Sequence, residues 1–181
     1  MVKCPSDQAA EKTELLKKIK LLLLDADGVL TDGSIVYSDS GSEIKTFNVK
    51  DGVGIRLLMA AGIKVGIVTG RSSDALCHRC RNLGIVLLVD GIRDKAAVLD
   101  RITGQTSIPA QKIAFMGDDL PDLPIMRRVG LSIAVSDADK AVIEHAGMVT
   151  KNRGGAGAVR EVCEAILDAQ GLREKITERF L

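Results

Sequence analysis

The chain has no tryptophan, one tyrosine and three phenylalanines in 181 residues. Tyr37, Phe47, Phe115 and Phe180 are too few and too scattered to stack bases or sugar rings, which argues against a platform of that kind. A surplus of charge is missing as well. The 25 basic and 24 acidic residues interleave to a net +1, so the electrostatic footprint of a nucleic-acid partner is absent. Apolar runs are short: none nears the roughly 18–20 residues that cross a bilayer, so no membrane partner is expected. The opening "MVKCPSDQAA" lacks the apolar centre of a secretory leader, and a cytoplasmic protein is expected. Cysteines are few, at positions 4, 77, 80 and 163. Cys77 and Cys80 have C-x-x-C spacing inside helical "DALCHRCRNLG", but no second Cys/His pair lies near to complete a zinc site. They read as buried or half-buried free thiols, and His78 and His145 as ordinary helix histidines.

What is present is an apolar aliphatic majority. Hydrophobic residues make up 46% and charged residues 27% of the chain, enough to bury one full core. Residues 9–18 read as a short helix leading into a strand at 20–25, "KLLLLD". Segments 35–37 and 43–47 flank "SDSGS" and predict a β-hairpin inserted after that first strand. Helix and strand then alternate through "DGVGIRLLMAAG", "KVGIVTGR", "SSDALCHRCRNLG", "IVLLV", "RDKAAVLDRIT", "KIAFMGDD", "LPDLPIMRRVG", "LSIAV", "DADKAVIEHA", "GMVT" and "GAGAVREVCEAILDAQG". Continuously apolar strands separated by helices predict an α/β fold, a Rossmann-like parallel sheet with helices on both faces. The expected organisation is a partly helical segment at 1–19, a domain at 20–170, and a polar tail at 171–181 that frays or docks elsewhere.

The chemistry-bearing side chains gather at strand ends. Asp25 and Asp27 follow the first strand, Thr69 the next parallel strand, and Asp118 with Asp119 a later one. Ligands of open α/β sheets bind at that edge. Lys95 opens a helix on the same side. Crowded carboxylates repel and need a cation or a proton. Beside a hydroxyl and a lysine they suit Mg²⁺, a hard ion that takes a few carboxylates together with substrate phosphate oxygens. One carboxylate can attack phosphorus, and another two residues on can protonate the leaving oxygen and then activate water. Thr69, the Gly70 amide and Lys95 can hold the equatorial oxygens. A calcium-loop reading of "DADGVLTDG" fails, because Val29, Leu30 and Val36 stand where an EF-hand needs an acid, a glycine and a glutamate. Asp32 before Gly33 reads as turn chemistry, and Asp119 and Asp122 also suit a helix start.

"DADGVLTDG", "VTGR", "RDK" and "GDDLPD", in that order, resemble the four motifs of the haloacid dehalogenase superfamily of phosphohydrolases, over roughly residues 20 to 170. More narrowly, "FNVKDGVGIRLL", "GDDLPDLPIM", "VGLSIAV" and "GGAGAVREVCEAILDAQG" resemble the 3-deoxy-D-manno-octulosonate 8-phosphate phosphatases, which act in making the inner sugar of bacterial lipopolysaccharide. The resemblance implies that Asp25 is the nucleophile and Asp27 the general acid and base, with its backbone carbonyl on Mg²⁺. It implies Asp118 as the remaining metal carboxylate and Asp119 and Asp122 as supporting groups. Thr69, Gly70 and Lys95 would hold the transferring phosphoryl group and Arg71 would lie near substrate. Mg²⁺ is then the implied cofactor and a phosphorylated sugar acid the implied substrate.

Many members of that superfamily carry a cap domain. Here only about forty residues separate Asp25 from Thr69, and fewer separate Thr69 from Lys95, against the roughly 50 a domain needs, so a capless fold is expected. An aspartyl-phosphate site benefits from excluding water, and the hairpin at 35–47 is the candidate lid, supplied by a neighbouring subunit. The capless phosphatases that the chain resembles are homotetramers built on such hairpins, with a tail that reaches a neighbour's site, and the resemblance implies a homotetramer here. One position departs from their pattern. They usually have an arginine in "GGRGAVRE", and this chain has Ala156 in "GGAGAVRE", which removes a guanidinium suited to a sugar acid's carboxylate. Arg153 and Arg160 are the possible substitutes, and the glycine run by itself reads as a flexible lead-in to the last helix. A nine-carbon sugar acid 9-phosphate therefore stays open as substrate. A catalytically silent assembly domain is the alternative of another class, although Asp25 and Asp27 are both in place. A receiver-type signalling module has the wrong order, since its acidic pair would precede Lys95.

Overall fold

The computed structural model describes residues 5–178. Cys4, Phe180 and the end of the expected tail lie outside the described residues. The first helix, α1 (Pro5–Lys18), leads into β1 (Leu21–Leu24), and the hairpin follows as β2 (Val36–Tyr37) and β3 (Glu43–Ile44). Next come α2 (Val49–Ala60), β4 (Lys64–Val68), α3 (Asp74–Leu83), β5 (Leu87–Val89), α4 (Lys95–Thr106) and β6 (Ile113–Gly117). The chain ends through α5 (Leu123–Met126), β7 (Leu131–Ala134), α6 (Lys140–His145), β8 (Met148–Val149), α7 (Ala158–Ala169) and α8 (Arg173–Thr177). Six strands form one parallel sheet in the order β5–β4–β1–β6–β7–β8, and β2 and β3 pair separately and antiparallel.

The four leucines of β1 explain themselves in that order. Each is 0% exposed, with Leu24 in register with Ile67 on one side and Met116 on the other. A strand paired on both edges and covered on both faces has no position for a polar side chain. Successive side chains point to opposite faces. Leu22 and Leu24 join Leu58, Val159, Val162 and Ile166 of α2 and α7, whereas Leu21 and Leu23 join Val98, Leu99, Ile102 and Ile125 of α4 and α5. These two clusters are the two cores. The strand order reverses at β1, and this opens a crevice beyond the carboxyl ends of β4, β1 and β6.

Local signals set the helix ends. Asp94 caps α4 by accepting from Ala96 N at 2.9 Å and Ala97 N at 3.2 Å, and this fixes Lys95 as the first helical residue. Gly84, at φ 82°, closes α3. Two segments differ from expectation. The single helix expected over "LPDLPIMRRVG" is a 3-10 turn at Leu120–Asp122 followed by one α-helical turn. Pro121 and Pro124 have no N–H to donate, and Asp122 turns inward instead of facing water. Residues 173–177, expected in a polar tail, form α8, whose Ile176 is buried in the same cluster as Leu16 of α1. No helix among the described residues is long and apolar enough to cross a membrane.

Candidate active site

β1 ends inside the core, and the chain must turn sharply to leave it. Asp25 still donates its amide to Met116 O at 2.9 Å, so it exits in register with β6. The next loop closes on the Ala26 carbonyl, which accepts from Leu30 N at 2.9 Å and Thr31 N at 3.1 Å. Thr31 Oγ1 accepts from Gly33 N at 3.2 Å, and Asp32 Oδ1 accepts from Ser34 N at 2.9 Å, so Asp32 serves the turn. This fold-back carries Asp27 round to a cavity of about 290 Å³. Asp25, Asp27, Thr69, Gly70, Arg71, Lys95, Asp118, Asp119 and Asp122 all line it. A larger hollow of about 430 Å³ lies between Met59, Ile63, Val65 and Leu87, and no carboxylate, histidine or cysteine lines it.

Glycine at position 28 is a packing requirement. Its φ is 85°, and a Cβ there would sit 2.0 Å from Asp118 Oδ2, so only a bare backbone lets the Asp118 carboxylate lie against the loop. The glycine run near the carboxyl end fills the same role from the other side. A Cβ on Gly154 would fall 1.7 Å from Gly28 O, and Gly155 N donates to Val29 O at 3.0 Å. It is a close-packed strut behind the aspartate loop and not a loose lead-in. Ala156 sits in that strut and does not line the cavity of Asp25 and Asp118. Arg153 pairs with Asp137 at 3.0 Å and Arg160 with Glu164 at 2.6 Å, and neither lines the carboxylate cavity.

The electrostatics centre on three carboxylates. One oxygen from each of Asp25, Asp118 and Asp122 lies within 4.8 Å of the other two. Burial, then the charges of Asp25, Asp122 and Asp119, pushes the Asp118 carboxyl up to about 8, with Lys95 opposing. Burial and Asp122 likewise raise Asp25 to about 6 against the pull of Lys95. The Lys95 side chain is only 4% exposed. Burial works to strip its proton, but Asp25 and Asp122 outweigh burial and hold it above the ordinary lysine value.

Asp122 has no oxygen to spare. Oδ1 accepts from Lys95 Nζ at 2.6 Å, and Oδ2 accepts from Asp118 N at 2.9 Å and Asp119 N at 3.4 Å. By contrast, Asp118 Oδ1 and Asp25 Oδ1 are buried without a hydrogen-bond donor. The latter has only an unaligned ion-pair contact with Lys95 Nζ at 3.0 Å. Two buried carboxylate oxygens without an aligned donor, on groups whose proton affinities are raised by burial and then by crowding, fit a hard divalent cation. Asp25 and Asp118 are therefore the side chains that could hold one, and Asp122 braces them. Asp119 caps the 3-10 turn, its Oδ1 accepting from Leu120 N at 2.7 Å.

β4 and the loop after β5 bring in the remaining groups. Thr69 N donates to Val89 O at 3.0 Å and Ile92 N donates to Thr69 O at 3.2 Å, which ties the end of β4 to the loop before Lys95. Cys77 and Cys80 stand on α3 away from this cavity, and burial pushes the Cys80 thiol up to about 11.

Sequence reasoning missed the rim. Lys45, the residue after β3, hydrogen-bonds Asp27 Oδ1 and ion-pairs with Glu43 Oε1 at 2.7 Å. Burial acts to lower its pKa, but those two carboxylates raise it overall. Glu43 Oε2 in turn accepts from Arg71 Nη2 at 2.9 Å, and Tyr37 Oη lies 3.1 Å from the same nitrogen. Asp51 was missed too: buried in α2, it accepts from Gly157 N at 3.3 Å and Arg160 N at 2.7 Å at the start of α7. No motif marks Glu43 or Lys45, and Asp51 lies within "FNVKDGVGIRLL" without a role assigned to it. For Glu43 and Lys45 the alternation of charge in "SEIKTF" was the available signal.

Residues 85–162 match the family model of haloacid dehalogenase-like hydrolases. The 3-deoxy-D-manno-octulosonate 8-phosphate phosphatase of Escherichia coli K12 is 44% identical over 168 residues, 93% of this chain and 89% of the relative. The crystal structure of the Moraxella catarrhalis phosphatase of that name, in complex with magnesium, phosphate and the sugar acid, superposes with a TM-score of 0.92 at 40% identity. The alignment covers 94% of this chain and 98% of that one. The Yersinia pestis phosphatase structure gives a TM-score of 0.89 at 43% identity, over 91% and 89% of the two chains. The protein thus belongs to the haloacid dehalogenase superfamily and, within it, to the 3-deoxy-D-manno-octulosonate 8-phosphate phosphatase family.

Proposed function

We propose that this chain is a magnesium-dependent phosphomonoesterase that hydrolyses 3-deoxy-D-manno-octulosonate 8-phosphate to the free sugar acid and phosphate, a step in making lipopolysaccharide. The observation that carries this reading is the pair of donor-less oxygens on Asp25 and Asp118 beside the buried ammonium of Lys95. A carboxylate, an ammonium and a cation-ready pair are what phosphoryl transfer needs at one point.

In the first step Asp25 attacks phosphorus, the new bond forms to its carboxylate oxygen, and the bond from phosphorus to the sugar oxygen breaks. Asp27 gives its proton to that departing oxygen. In the second step Asp27, now ionised, takes a proton from water as the water attacks phosphorus. The phosphorus–Asp25 bond then breaks and phosphate leaves. Mg²⁺, held by Asp25, Asp118 and the Asp27 carbonyl, would neutralise the carboxylates and the phosphoryl charge. Thr69, the Gly70 amide and Lys95 hold the equatorial oxygens. Arg71 meets the rest of the substrate, and Asp119 and Asp122 keep the loop and Lys95 in position.

The same reading includes a cytoplasmic homotetramer. Ile35, Val36, Tyr37 and Ile44 leave a largely exposed apolar hairpin, which supports an assembly in which hairpins meet. A fully active monomer by light scattering would overturn it. The activity is tested by phosphate release from the octulosonate 8-phosphate, with a nine-carbon sugar acid 9-phosphate and an aryl phosphate beside it, in Mg²⁺ or in chelator. The expected result is Mg²⁺-dependent preference for the octulosonate, lost in Asp25→Asn. Preference for the nine-carbon ester would keep the mechanism and discard the substrate.

A further inference from the structure

The hairpin does more than present an apolar surface, because it also delivers a buried cation to the catalytic loop. Two ladder pairs, Val36 with Ile44 and Tyr37 with Glu43, and the turn in which Ser38 N donates to Ser42 O at 2.9 Å hold it together, and Lys45 follows immediately. The Lys45 side chain is 2% exposed, so it is not a solvated surface lysine. Its ammonium sits between Asp27 Oδ1 and Glu43 Oε1, and Glu43 is itself held by Arg71 Nη2 at 2.9 Å. The two oxygens of Asp27 are therefore unequal. Oδ1 is taken by Lys45, whereas Oδ2 is buried without a hydrogen-bond donor, with Arg71 Nε at 3.5 Å.

We propose that Lys45 is a positioning residue for the reaction: by clamping Asp27 Oδ1 it fixes the carboxyl group so that Oδ2 carries the proton to and from the reacting oxygens. This inference rests on the phosphatase reading above, since it assigns a role to Asp27 within it. A free aspartate on a surface loop samples several rotamers, and misplacement of an acid by a fraction of an ångström removes much of its effect. With Lys45 bound at one oxygen and anchored through Glu43, the orientation is set before substrate arrives.

The test separates this role from a structural one through the leaving group. An alkyl phosphate such as the octulosonate ester needs a proton on its departing oxygen, whereas 4-nitrophenolate leaves as an anion. The value of kcat/KM covers only the steps through transfer to Asp25, so water activation in the second step does not enter. Lys45→Met is expected to lower kcat/KM for the alkyl ester by about 30-fold or more, and for 4-nitrophenyl phosphate by about threefold or less. Lys45→Arg, which keeps the cation, should recover most of the loss. Lys45→Gln, a neutral donor closer to the native shape, should fall between them and serves if the Met variant is unfolded. Equal losses on both esters, or no loss on either, would overturn the role of Lys45 while leaving the phosphatase reading intact. A wild-type protein that cleaves neither ester in Mg²⁺ would instead overturn the phosphatase reading, and this inference with it.

Discussion

Binding of Mg²⁺ is expected to expel protons, and the number follows from the site. Without a cation, burial and mutual repulsion hold Asp118 at about 8 and Asp25 at about 6. At pH 7 the first is then about 90% protonated and the second about 10%, so loading the site releases about one proton per ion. Release climbs towards about two below pH 6 and fades above about pH 9, and the Kd for Mg²⁺ falls about tenfold per pH unit between about 6 and 8. The sign for folding follows from the same shifts. Both folded values lie above the unfolded ones, so the contribution of these two groups to the metal-free fold is fully present below about pH 4 and is lost progressively as pH rises to about 8. Saturating Mg²⁺ should flatten that decline. Isothermal titration in two buffers of different ionisation enthalpy counts the protons, and thermal melts of chelator-treated protein follow the stability. Asp118→Asn should cut the release at pH 7 to near zero. A Mg²⁺ affinity independent of pH from 6 to 8, with no buffer-dependent heat, would refute the reasoning.

Two substitutions probe the supports of that site. Asp122→Ala takes the 2.6 Å partner from Lys95 and the acceptor from the Asp118 and Asp119 amides, all in a buried place. It should cost about 3 kcal/mol in urea unfolding, and a loss under about 1 kcal/mol would show that Lys95 is satisfied by Asp25 alone. Gly28→Ala places a methyl 2.0 Å from Asp118 Oδ2 at φ 85° and must displace that carboxylate. Mg²⁺ affinity should drop at least about tenfold alongside a stability loss of about 1–2 kcal/mol, and unchanged affinity by titration would count against the contact.

The alternation of apolar strands and helices was legible because each sheet strand is buried on both faces and cannot hide its composition. The aspartate loop was legible because its residues are close in sequence, so Asp25, Asp27 and Gly28 declare one another. The 3-10 turn at Leu120–Asp122 was misread as a helix, since the inward rotation of Asp122 depends on two amides and a lysine from elsewhere. Lys45 and Glu43 went unread within the hairpin, because burial of a short hairpin's inner face depends on what lies beneath it. The glycines at 154 and 155 looked flexible for the same reason: their need for bare backbone comes from Gly28 and Val29, more than a hundred residues away.

By itself the sequence determined the α/β class, the room for a hairpin but no cap, and the kind of chemistry, since carboxylates, a hydroxyl and a lysine at strand ends admit few reactions. Only the tertiary structure decided which carboxylates are free for a cation and which are already engaged. It also decided that Lys95 lies against Asp25 and Asp122 and that Lys45 grips Asp27. Local propensity and composition act over a few residues and can be read along the chain. Proton affinity, burial and hydrogen-bond satisfaction depend on neighbours that folding alone brings within a few ångströms.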